Sequence, residues 1–139
     1  MKCALGILLA ALVLLVPPPP TASADLIECA VFGPCLGTDD ADELLGTPGY
    51  DEIRGRAGPD VERGRGSGDD LYGGQGRDDL NPGGGDDFVS GGDASDDINI
   101  AGDDSGGDFA TCGDGDNDEV WADPGDAVDP DCETVHFIF

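Results

Sequence analysis

Between residues 37 and 99 the chain repeats one arrangement of polar and apolar positions every nine residues. Aspartates stand in unbroken phase at Asp42, Asp51, Asp60, Asp69, Asp78, Asp87 and Asp96. Two residues after each comes Leu44, Ile53, Glu62, Leu71, Leu80, Val89 or Ile98, so six of the seven are apolar. Five residues before each comes Gly37, Gly46, Gly55, Gly64, Gly73, Pro82 or Gly91. Fixed glycine, carboxylate and apolar positions mark a structural unit copied in tandem, not a generic acidic stretch. Glycine permits positive φ and close backbone approach, so the first half of each unit turns sharply. The residues around the apolar position form a very short strand, with that residue facing one side and its neighbours the other. Neighbours such as Arg54, Asp79, Asn81 and Asp97 suit solvent.

The unit GGQGRDDLN, residues 73–81, matches G-G-x-G-x-D-x-U-x at every position, where U is a large apolar residue. Over residues 37–99, and loosely into the tail, the chain resembles the RTX or hemolysin-type calcium-binding family. The resemblance implies an all-β fold, a parallel β-roll in which two nonapeptides make one coil. Units i and i+2 then stack as adjacent strands about 4.8 Å apart. It also implies calcium ions held between stacked turns, at Asp42/Asp60, Asp51/Asp69, Asp60/Asp78, Asp69/Asp87 and Asp78/Asp96. Calcium accepts six to eight oxygen ligands and mixes carboxylates with carbonyls. The turn carbonyls of Gly49, Gly58, Gly74, Gly76, Gly83, Gly85 and Gly92 are the expected co-ligands. The competing reading takes the aspartates as turn formers alone.

Two departures stand out. The fourth position of the unit calls for Gly or Asn, yet Asp40, Ser67 and Ala94 occupy it, so distorted turns are expected there. Glu62 falls where an inward apolar residue belongs, and an unpaired charge buried there is costly. Either a local slip turns Val61 inward, which is the favoured reading, or Glu62 meets an arginine or an ion.

The ends add a secretory reading. Residues 4–16 form an unbroken apolar run after Lys2, prolines 17–20 follow, and Ala22-Ser23-Ala24 has the small-x-small pattern of a cleavage site. Residues 1–24 are therefore expected to be a signal peptide, and the rest a secreted chain with no membrane insertion. Removing it leaves 31 acidic residues against five arginines. Such a polyanion repels nucleic acid and anionic membranes and attracts divalent cations. With so few large apolar residues it needs staples, and disorder is expected without calcium. Cys29, Cys35, Cys112 and Cys132 form an even set. Local pairing, Cys29–Cys35 and Cys112–Cys132, is expected, with crossed pairings the alternative. Residues 25–36 then form an N-terminal disulfide-bounded cap, and residues 100–139 degenerate repeats and a C-terminal cap. Val120, Val128 and Val135 are the expected inward residues of that tail, with Trp121 and residues 136–139 covering its open edge. Asp114, Asp116 and Asp118 fit only the start of an EF-hand loop, because Glu119 replaces its glycine.

No nucleophile and base come together in the pattern, and the lone histidine, His136, lies near the C-terminus. Catalysis is not expected. The function implied is a secreted calcium-binding module, structural or interaction-mediating, that folds on calcium. The alternative is an acidic, largely disordered polyanion that sequesters divalent cations.

Overall fold

A computed structural model describes residues 24–102 and 107–139. The expected leader thus lies outside the described residues save for Ala24. The described chain is all β: β1 (Asp25–Glu28), β2 (Cys35–Leu36), β3 (Asp42–Leu45), β4 (Glu52–Ala57), β5 (Val61–Gly66), β6 (Asp70–Gln75), β7 (Asp79–Gly84), β8 (Phe88–Asp93), β9 (Asp97–Asn99), β10 (Phe109–Asp114), β11 (Glu119–Ala122), β12 (Ala127–Val128) and β13 (Thr134–Phe137). Odd strands form one parallel sheet in the order β1-β3-β5-β7-β9-β11-β13. Even strands form a second, β12-β10-β8-β6-β4-β2. Each pair of nonapeptides is one coil of a β-solenoid of about six turns. No helix among the described residues is long and apolar enough to cross a membrane.

Register follows from the repeat. Leu44 pairs with Glu62, Glu62 with Leu80, Leu80 with Ile98, Ile98 with Val120 and Val120 with Val135. In the other sheet Cys35, Ile53, Leu71, Val89, Ala110 and Val128 line up in the same way. The two apolar columns meet in one narrow core. Each fully buried Leu, Ile or Val contributes about 1.5–3 kcal/mol. Strand alternation turns three residues of every unit inward: the aspartate, the apolar residue and the next unit's first residue, as in Asp69, Leu71 and Gly73. The longest strands therefore run six residues, through that inward glycine, rather than the short segment around the apolar position expected from the sequence. Where that residue is glycine a side chain has no room, although Pro82 and Ile100 hold the same position in two coils. A Cβ on Gly73 would stand 2.5 Å from Asp78 Oδ2 and 2.7 Å from the Gly91 carbonyl oxygen.

Glu62 corrects the expected slip. Val61 faces outward, and Glu62 keeps the apolar register between Leu44 and Leu80 with none of its surface exposed. Backbone pairing on both sides fixes that register, and a one-residue slip would turn the whole strand over. Of the three fourth-position departures, Asp40 stays outside the positive-φ region and the other two enter it. Ser67 (φ 71°) and Ala94 (φ 85°) hold the same left-handed conformation as Gly58, Gly76 and Gly85. Those turns are strained, not rearranged.

Spacing in the tail is irregular, and only 15 residues separate the last paired rungs, Val120 and Val135. Val89 pairs with Ala110 and Ile98 with Val120, so 21 and 22 residues separate successive rungs instead of 18. Disulfides Cys29–Cys35 and Cys112–Cys132 close the two ends locally. Strand β13 covers the edge of β11, but Phe137 and Ile138 remain half-exposed. Trp121 lies on the outer face of the odd sheet, stacked on His136 at 5.3 Å, and does not cap the end. On the outer face of the even sheet, Arg54 lies over Tyr72, and Tyr72, Phe88 and Phe109 follow at ring spacings of 5.6 and 5.8 Å.

Candidate cation site

All seven repeat aspartates are buried at the strand starts, where the glycine turns of the unit deliver them. They stand in two columns, one along each edge of the roll. In each step the backbone N–H of one aspartate donates to Oδ1 of the aspartate a coil later. Asp42 donates to Asp60, Asp60 to Asp78 and Asp78 to Asp96, at 2.8–2.9 Å. On the other edge Asp51 donates to Asp69 (2.8 Å) and Asp69 to Asp87 (2.6 Å). These are the five pairs expected from the sequence.

The columns continue beyond them. Asp87 donates to Asp108, Asp96 to Asp118 and Asp118 to Glu133 Oε2. Asp108 and Asp118 stand in the tail at irregular spacing, so the nine-residue count does not assign them. An inward valine or alanine two residues on, Ala110 or Val120, is the signal that places them. Asp114 and Asp116 are exposed and do not join Asp118 in a loop.

From Asp60 onward Oδ1 accepts from the preceding coil, whereas Oδ1 of Asp42, the first of its column, is buried without a partner; elsewhere the second oxygen decides the chemistry. At Asp42 and Asp51 that second oxygen is satisfied locally. Thr38 N–H and Oγ1 reach Asp42 Oδ2 at 2.6 and 2.9 Å, and Thr47 does the same for Asp51 at 2.5 and 3.0 Å. Sequence reasoning missed these threonines, which fill the second position of the first two units. In the units of residues 55–99 that position is Arg56, Arg65, Gly74, Gly83 or Gly92, all at positive φ. There Oδ2 of Asp60, Asp69, Asp78 and Asp96, and of Asp118 in the tail, is buried without a hydrogen-bond partner.

A buried carboxylate oxygen with no donor is expensive. Burial accordingly raises the carboxyls of Asp60 and Asp96 to about 6 and those of Asp69 and Asp78 to about 7. The N–H donated from the preceding coil offsets only part of this, and the stacked neighbouring carboxylates add to it. Glu62 is pushed up to about 8, first by burial and then by Asp78. The ion pairs among the described residues, Arg54–Glu52 and Arg77–Asp97, lie on the outer faces and leave both columns unneutralised.

These oxygens suit a hard cation: they are buried, anionic, unpartnered and repeated at coil spacing. Of the expected glycine co-ligands, Gly49, Gly58, Gly76 and Gly85 lie in the turns, whereas Gly74, Gly83 and Gly92 lie within β6, β7 and β8. Carbonyl oxygens of Gly58, Gly74 and Gly92 point along the roll onto the α-carbons of Gly76, Gly92 and Gly113 one coil on. Gly76, Gly83 and Gly85 all have positive φ, whereas Gly49 does not and its carbonyl accepts from Thr47 Oγ1. Among the described residues one cluster includes softer ligands, and it is not free to bind a metal. Cys112, Asp131 and Cys132 converge within 4.8 Å, but the two cysteines are disulfide-bonded.

Fold and columns together define an acidic parallel β-solenoid with a carboxylate-lined interior. No protein-family model, curated protein or solved structure matches the chain.

Proposed function

We propose that the protein is a secreted calcium-binding β-roll of the RTX type, whose ordered coils form when calcium neutralises the aspartate columns. The observation that carries this reading is the set of buried Oδ2 atoms of Asp60, Asp69, Asp78, Asp96 and Asp118, with no donor among the described residues. Two unit charges about 5 Å apart repel by roughly 3 kcal/mol at an effective dielectric of about 20. The columns stack several such charges in series. A divalent cation between turns relieves both the repulsion and the missing coordination, and its binding energy becomes folding energy. The local disulfides and the polyanionic composition support an extracellular setting. Asp42 and Asp51, already served by Thr38 and Thr47, make weaker sites than Asp60, Asp69, Asp78 and Asp96.

Calcium titration of the disulfide-intact protein, followed by calorimetry and by circular dichroism, tests the reading. Several ions per chain should bind, each with Kd in or below the extracellular range of about 10⁻⁴–10⁻³ M, as β signal is gained. Binding of one ion or none would sink it.

A further inference from the structure

One rung of the ladder differs from all the others. Six of the seven apolar positions hold Leu, Ile or Val, and the seventh holds Glu62. Its side chain is fully buried in the bore of the roll, and the nearby backbone N–H groups of Gly55 and Tyr72 make no hydrogen bond of good geometry to either Oε1 or Oε2. Oε1 lies 2.9 Å from the point where a Cβ on Gly55 would stand. The Gly73 carbonyl oxygen lies 2.6 Å from the same point, and Asp60 Oδ2 also abuts it. Asp78, bonded to Asp60 N–H through Oδ1 at 2.8 Å, adds a further buried oxygen without a donor.

We propose that Glu62 supplies a third carboxylate to the Asp60/Asp78 step, making it a site for calcium that is held partly from inside the roll. The inference rests on the calcium reading above and deepens it, by assigning one step a ligand that the nine-residue pattern does not contain. Charge argues for a cation. The groups acting on Glu62 are Asp78, Asp60 and the backbone N–H groups of Gly55 and Tyr72, with no basic side chain among them. Arg56, Arg63 and Arg65 are exposed, and Arg54 and Arg77 pair with Glu52 and Asp97.

Coordination argues the same way. Four carboxylate oxygens are orphaned at this step: Asp60 Oδ2, Glu62 Oε1, Glu62 Oε2 and Asp78 Oδ2. A proton on Glu62 serves two of them at most, its own oxygen and one acceptor. A calcium ion accepts six to eight oxygens and can gather the carboxylates with a carbonyl. An all-oxygen set with three negative charges selects a hard divalent ion over a soft one. This step therefore binds calcium most tightly and orders first.

The test is calorimetric calcium titration of the full disulfide-intact chain as wild type, Glu62→Gln and Glu62→Leu, with Asp69→Asn as the control on the opposite column. Leucine restores the residue found at Leu44 and Leu80, the two neighbours in the stack, so that variant keeps its fold, and circular dichroism at saturating calcium verifies it. Wild type should show one step at least tenfold tighter than the rest. Both Glu62 variants should lose that step while keeping the weaker ones, and Asp69→Asn should keep it. If Glu62→Leu binds calcium with the wild-type profile, Glu62 is a protonated core residue and the inference is overturned, while the wider calcium reading stands. If wild type itself binds no calcium, both fail together.

Discussion

Stripping the protein of divalent cations should make its stability rise as the pH falls, the opposite of ordinary acid denaturation. The cause lies in the columns. Asp69 and Asp78 titrate near 7 in the folded chain, Asp60 and Asp96 near 6, and Glu62 near 8. Unfolded carboxyls titrate at about 3.9–4.3. Between those values the folded form binds more protons than the unfolded one, so stability is fully present below about pH 4 and is lost as pH rises through 6–8. One unit corresponds to about 1.4 kcal/mol, so the shift at Asp69 is worth about 4 kcal/mol at neutral pH, and about 2 once solvent screening at the turn is discounted. Two such residues cost a large share of the 5–15 kcal/mol that typically separates folded from unfolded chains. The assay is far-ultraviolet circular dichroism of resin-treated, calcium-free protein at pH 5, 6, 7 and 8, with urea unfolding at each pH where β signal persists. All four lie above the sequence pI of about 4.1, so the chain remains anionic throughout. The unfolding midpoint should fall steadily from pH 5 to pH 8. Saturating calcium should reverse the slope, because the ion needs the deprotonated ligands. A calcium-free midpoint that is flat, or that rises with pH, would refute the electrostatic account of the columns.

Asp69→Ala should shift the calcium midpoint of folding further than Asp42→Ala. The first also strips the acceptor from the buried Asp51 N–H, at a cost of about 1–3 kcal/mol, whereas Asp42 is the first aspartate of its column and its Oδ2 faces Thr38; equal midpoints would count against this. Ala94→Gly should stabilise the calcium-loaded protein by about 1 kcal/mol, read as a higher urea midpoint, because φ at this position is +85°. Magnesium at the same concentration should restore much less β signal than calcium, since it demands near-octahedral geometry and sheds water reluctantly. Equal recovery would reduce the sites to diffuse charge screening.

The roll was legible in the sequence because one period controls several levels at once. Asp69, Leu71 and Gly73 recur in phase, and strand alternation sends all three inward, so the same spacing sets both core and columns. The stacking of units two apart came with the family resemblance, and the local disulfides from the fact that crossed pairings would tie the two ends of such a roll together. Glu62 was harder to read. Its burial is decided by the backbone pairing of β5 with β3 and β7, which outweighs the side chain's own preference for water. Thr38 and Thr47 were hidden because the position they hold reads as a turn residue, and their hydroxyls matter only once the carboxylate folds over them. Asp108 and Asp118 escaped the count because extra residues in the turns broke the phase without breaking the stack.

The interior of this protein and its exterior obey different arithmetic. Inside, over residues 37–99, both columns carry aspartate, an apolar residue and glycine, broken at Glu62 and Pro82, so the bore repeats every nine residues. Outside, the two sheets have different faces. The row of Tyr72, Phe88 and Phe109 belongs to the even strands alone, and Trp121 with His136 to the odd ones. The surface therefore repeats only with the full coil of 18 residues. Inserting or deleting 18 residues would lengthen or shorten the rod and leave every face continuous. A change of nine would leave the bore intact but exchange the faces beyond it, cutting the aromatic row in two. Gene duplications that preserve a surface are thus confined to even numbers of units, while those that preserve only the fold are not.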